Sequence, residues 1–211
     1  MSEFEFFFIL VGLLLGLALA EIARRFADAI AARDTVKLGV LTPMLAAFVL
    51  LDLASYWMWT WSMRDLIHID WSTLFAGLVV ALAYFFAAAS VFPRREGMWP
   101  ALDDHYFKQK RLVIVGVALA NIPGLALQLS ILLPAANDLW FFVWQGMYWT
   151  PLLLLLFVRS RRANIALLAI LLLQYLLVAT NALPNSEWAN SVGLNSEAAR
   201  AASTKAVGAP R

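Results

Sequence analysis

Six long apolar stretches, separated by short polar ones, set the pattern of this chain. The most informative covers 38–63, LGVLTPMLAAFVLLDLASYWMWTWSM, with Asp52 close to its centre. A helix of about 20 apolar residues crosses the hydrocarbon of a bilayer, so this stretch reads as a transmembrane helix with a carboxylate near mid-depth. The other spans fall at about 4–23, 71–92, 112–133, 139–158 and 165–183. Pro93, Pro134 and Pro184 stop three of them, and Asn121-Ile122-Pro123-Gly124 interrupts the fourth span. The fold class this predicts is all-α, an integral membrane protein built as a six-transmembrane-helix bundle over 1–184. A polar tail rich in Ala, Ser and Asn follows over 185–211.

The segment 98–111, MWPALDDHYFKQKR, has a different rhythm. Met98 or Trp99, Leu102 and Tyr106 share one helical face while the charges lie largely elsewhere. That pattern predicts a short amphipathic helix lying along the membrane interface.

Charge gives the orientation. The loops after the first, third and fifth spans carry twelve Lys and Arg residues, and those after the second and fourth carry only Arg64. The positive-inside rule then puts the odd loops in the cytoplasm and both termini outside, in the periplasm of a bacterium. Trp57, Trp59, Trp61, Trp71, Trp140 and Trp144 fall near the outer boundary, as an aromatic belt does. Ala18-Leu19-Ala20 mimics a signal-peptidase site. The amino terminus is acidic, however, and Arg24-Arg25 follow the apolar run, so a retained first helix is expected. The localisation predicted is the bacterial inner membrane.

Composition narrows the chemistry. Only 14% of the 211 residues are charged, against about 25% in soluble domains, which leaves no length for a separate catalytic domain. Zero cysteines exclude disulfides, thiolate metal sites and cysteine nucleophiles. His68 and His105 both lie in loops, so neither a haem nor a histidine-held metal is expected inside the bilayer, and no cofactor is implied. Asp103-Asp104-His105 are consecutive and do not converge on one ion; they read as a solvated face. No phosphate-binding loop and no buried Ser–His pair is present, so no enzyme is expected. The basic loops suit anionic lipid headgroups and need no nucleic acid.

The polar residues within the spans are the candidates for function. Asp52, Ser55, Tyr56 and Thr60 form a stripe at helical spacing, and Asn121, Gln145 and Gln174 stand in the fourth, fifth and sixth spans. Facing one another, they would form a polar pocket open to the outside and floored by Asp52, above apolar inner halves. An ionisable group at that depth is costly and points to a site. With no cation at its own depth, Asp52 is expected as a neutral acid donating to Asn121, Gln145, Gln174 or Tyr84. It could then take up a proton or cation when its surroundings change. The leading expectation is binding or transport of a small polar solute, cation or proton. The ligand-binding residues would be Asp52, Asn121, Gln145, Gln174, Tyr56 and Ser55. The bland reading treats Asn and Gln as glue between helices, worth about 0.6 kcal/mol each. Its functional counterpart is a non-catalytic scaffold or accessory subunit. Such a protein would make a homo-oligomer or bind a protein partner through Gly12 and Gly16, or through Gly116, Ala120 and Gly124.

Overall fold

A computed structural model describes residues 2–34, 37–93, 102–131 and 139–180. Within them the chain forms six helices and no strand: α1 (Glu3–Ala31), α2 (Leu41–Ser62), α3 (Trp71–Val91), α4 (Leu102–Ile131), α5 (Leu139–Phe157) and α6 (Arg161–Ala179). Five are long and apolar enough to cross a membrane; in α5 the qualifying stretch, Phe141–Phe157, is shorter. The architecture is that of a helical membrane bundle. Its exterior is apolar, with Phe6, Ile9, Leu13 and Leu17 exposed along α1, while Asp52, Lys110, Asn164 and Gln174 are buried. This inverts the soluble pattern, as expected when the solvent is lipid. The tail 185–211 lies outside the described residues.

Helix α2 is the hub, packing against α1, α3, α4 and α6. Its start is fixed from outside. Gly39 takes φ 64°, a left-handed conformation, and Asp103 on α4 caps the helix by accepting from the Leu41 N–H at 3.1 Å. Thr42 donates to the Leu102 carbonyl beside it at 2.8 Å. A Cβ at Gly39 would stand 2.2 Å from the Asp103 carboxylate, so glycine is required there twice over.

Two helices are longer than their apolar runs. α1 continues past its span because Glu21, Arg24 and Asp28 pair at helical spacing, with Arg24 3.1 Å from Glu21 and 3.2 Å from Asp28. Arg25 also pairs with Glu21 and donates to the Pro93 carbonyl at 3.0 Å, tying α1 to the end of α3. α4 absorbs 102–111, which were expected as a separate interfacial helix. Leu102 and Tyr106, the apolar face of that segment, are buried in the bundle core, so it continues into the span without a break. Residues 98–101 lie outside the described set.

Small residues set the close helix contacts. A Cβ at Gly116 would meet Ala87 at 3.0 Å, one at Gly77 would meet Phe7 at 2.6 Å, and one at Gly12 would meet Trp57 at 3.1 Å. Gly12 and Gly116 therefore serve packing within the chain, whereas Gly16 faces open space.

Helices α5 and α6 form a hairpin whose turn is held by α4. Lys110, buried, donates to the Val158 carbonyl and, at 3.0 Å, to Asn164 Oδ1; Arg111 donates to the Leu156 carbonyl at 2.9 Å. Both cations thus cap the carbonyl end of α5, where the helix dipole favours positive charge. Tyr106 donates to Asn164 Oδ1 at 2.7 Å, and Arg161 pairs with Asp103 at 3.1 Å.

Candidate functional site

Asp52 lies near the middle of α2, is 3% exposed, and receives hydrogen bonds from four other helices. On Oδ2, Tyr84 of α3 donates at 2.8 Å and Asn121 of α4 at 2.9 Å. On Oδ1, Tyr148 of α5 donates at 2.8 Å and Tyr175 of α6 at 2.7 Å. A carboxylate has about four lone-pair positions, and all are filled. Asn121 Nδ2 also lies 3.1 Å from the Tyr84 hydroxyl and 3.0 Å from the Val117 carbonyl of its own helix, which fixes its amide. Among the described residues no ion pair includes Asp52.

Tyr84 and Asn121 are the expected partners that meet Asp52; the Asn121 N–H can only donate, while the three phenol contacts fit a carboxylate that accepts or an acid that gives its proton to one of them. Burying a carboxylate costs several kcal/mol even after relaxation. Hydrogen bonds to a charged group return about 1.5–3 kcal/mol each, so neutral donors can hold the charge without a cation. A phenol hydroxyl is both donor and acceptor. The same cage can therefore host the protonated acid once one hydroxyl reverses.

Of the residues expected at the site, Asp52 and Asn121 meet. Tyr56, one turn along α2, is half-buried and packs its ring 5.7 Å from that of Tyr84, covering the cage from one side. Gly124 leaves the room for this, since a Cβ there would meet Trp59 at 3.2 Å and Tyr56 at 3.4 Å. Ser55 is exposed and stands apart. Gln145 is engaged on its own helix, accepting from the Trp149 indole at 3.2 Å. Gln174 donates to the Met147 carbonyl at 2.8 Å. That carbonyl lost its helical partner because Pro151, four residues on, has no N–H. Gln174 is thus helix glue with an identifiable task. The carboxylate is enclosed in this conformation; it is not the floor of an open pocket.

Tyr148 and Tyr175 were not anticipated from sequence. One signal could have found them: both stand near the middle of their apolar runs, 139–158 and 165–183, whereas membrane tyrosines concentrate at the interfaces. A phenol hydroxyl held at depth needs a buried partner, and Asp52 is the strongest acceptor there.

No group of His, Cys, Asp or Glu able to hold a metal ion occurs among the described residues. No protein-family model, curated protein or solved structure matches the chain.

Proposed function

We propose that the protein is a six-span component of a bacterial inner membrane, with both termini periplasmic, that binds and moves a proton or small cation at Asp52. The observation that carries this reading is a buried carboxylate bonded by neutral side chains from four helices and, among the described residues, by no cation. A carboxylate retained only for structure is more cheaply replaced by an amide or an apolar residue, because removing charge removes the desolvation cost. One retained with reversible donors can change its charge and remain hydrogen-bonded.

In this reading Asp52 takes the ion. Tyr84, Tyr148 and Tyr175 supply hydroxyls that turn between donating and accepting, and Asn121 holds the second carboxylate oxygen. Tyr56 covers the site, which is occluded in the present conformation. The bilayer is the protein's surroundings, and no cofactor is required. The six-span topology and the orientation rest on apolar length and on the distribution of Lys and Arg, twelve against one between the two sets of loops. A scaffold that oligomerises through Gly12 and Gly16 is weaker, because Gly12 already packs on Trp57.

The test is flux. Protein reconstituted in liposomes is given a membrane potential, with a trapped pH dye reporting protons and radioactive sodium reporting cations. Wild type should carry one of the two. Asp52→Asn, incorporated to the same level, should carry neither. Equal flux in both proteins, or none in wild type, would overturn the proposal.

A further inference from the structure

The two oxygens of Asp52 belong to different parts of the bundle. Oδ2 is held by Tyr84 and Asn121 on α3 and α4, and Oδ1 by Tyr148 and Tyr175 on the α5–α6 hairpin. Resting on the reading of Asp52 as an ion site, we infer that its ligand is a proton taken up on Oδ1, and that uptake releases the α5–α6 hairpin from the α1–α4 body.

The choice of proton follows from the space. The donors lie 2.7–2.9 Å from the carboxylate oxygens, which is direct hydrogen-bond contact with no gap for a metal cation between them. A proton needs no such gap.

The choice of Oδ1 follows from the partners. At Oδ2 the Asn121 amide presents N–H, which cannot accept, and the Tyr84 hydroxyl is already met by that amide. At Oδ1 each donor is a phenol with no second hydrogen bond among the described residues. A proton on Oδ1 forms a new O–H that donates to one of these phenols. That phenol must turn its own hydrogen away, and the other faces an oxygen with less to offer. The body keeps its grip on Oδ2, while the hairpin's two bonds to Oδ1 pass from charge-assisted to neutral and weaken.

The groups facing Asp52 are few. They are Tyr84 from α3, Asn121 from α4, Tyr148 from α5 and Tyr175 from α6, with Tyr56 one turn away on α2 itself. The buried residues of α1 are all apolar. No Lys, Arg, His or second acid touches the carboxylate among the described residues, so Asp52 is the titrating group.

The hairpin has a built hinge. Two levels of hydrogen bonds join it to the body: the Asp52 cage, and the turn held by Lys110, Arg111, Tyr106 and Asp103. The Gln174–Met147 bond lies within the hairpin and moves with it. Weakening the cage bonds leaves the turn anchored and loosens the opposite end, where Leu139 begins α5. There Phe141 packs against Met63.

The absence of cysteine permits a direct test. Leu139→Cys and Trp71→Cys, at positions 72% and 77% exposed, carry spin labels at the same end of the bundle. Their separation is measured in the full chain in lipid nanodiscs across a pH series, and infrared difference spectra report the acid form of Asp52. On acidification an acid signal absent from Asp52→Asn should appear, and the spin–spin distance should lengthen in step. Asp52→Asn should show the longer distance at every pH. Tyr175→Phe should show it in part at neutral pH, and Tyr84→Phe should leave the neutral distance unchanged. Should Asp52→Asn fail to fold, the wild-type series and the two tyrosine variants decide the matter. An acid signal without lengthening overturns the release and leaves the ion site standing. No acid signal at any pH overturns both. A lengthening that still titrates in Asp52→Asn assigns the switch elsewhere and overturns the inference.

Discussion

Replacing Tyr175 by Phe removes one hydroxyl from the Asp52 cage and little else. The ring stays in the apolar packing beside Phe48, 6.4 Å between centroids, so no cavity larger than the lost oxygen forms. What disappears is a 2.7 Å hydrogen bond to a carboxylate. Such a bond is worth about 1.5–3 kcal/mol, against about 0.5–1.5 kcal/mol for a neutral one. In an Asp52→Asn background the same substitution removes only a neutral bond, and the four donors must already have rearranged around an amide. The double-mutant cycle should therefore show a coupling of about 1–1.5 kcal/mol between positions 52 and 175. The assay is reversible unfolding of the purified protein in mixed micelles, followed by helical circular dichroism, for wild type, both single variants and the double. Tyr148→Phe, on the same oxygen, should give a coupling of similar size. Independent sites add within about 0.3–0.5 kcal/mol, so a coupling no larger than that would refute the cage as the holder of a buried charge.

Other predictions follow from the supporting structure. Gln174→Leu strands the Met147 carbonyl and should destabilise by about 1–3 kcal/mol; in a Pro151→Ala background, where residue 151 regains an N–H, it should be nearly neutral in the same unfolding assay. Gly39→Ala combines a left-handed φ of 64° with a clash on Asp103, and should cost about 2 kcal/mol or more by thermal unfolding. Asp70 caps α3; the N–H of Thr73 and the hydroxyl of Ser72 hold its carboxyl below the usual range. Its folded value being depressed, the cap's contribution is present above the ordinary carboxylate range and is lost as pH falls through the folded value. Asp70→Asn should flatten the acid limb of the stability profile, and a carboxyl carbon NMR titration should place the Asp70 midpoint below that of an unfolded peptide.

Much of the fold was legible because apolar length and helix-breaking residues are local signals. Each of the six helices lies on an apolar run anticipated from sequence, and Asp52 marked the centre of the site. Where the reading failed, the cause was a contact between distant segments. The amphipathic 102–111 resembles an interfacial helix until Leu102 and Tyr106 are seen inside the bundle, with Tyr106 bonded to Asn164. Gln145 and Gln174 have the composition of ligand contacts. Yet one bonds a tryptophan a turn away, and the other completes a carbonyl freed by a proline. The expected stripes assumed that polar residues face one another. In the structure three tyrosines do most of the facing, and of these only Tyr84 was expected as a partner of Asp52. Ser55 shares a stripe with Asp52 in projection, but three residues turn a helix by about 300°, enough to carry it off the buried face.

The most direct test of the account is proton stoichiometry. Purified wild type and Asp52→Asn are titrated in parallel from alkaline to acid pH, and the protons bound per chain are counted. If Asp52 is an exchangeable site that is ionised in the closed cage, wild type should take up about one proton more than Asp52→Asn across that range. Superimposable curves would contradict the central claim, leaving Asp52 a fixed polar knot in the bundle.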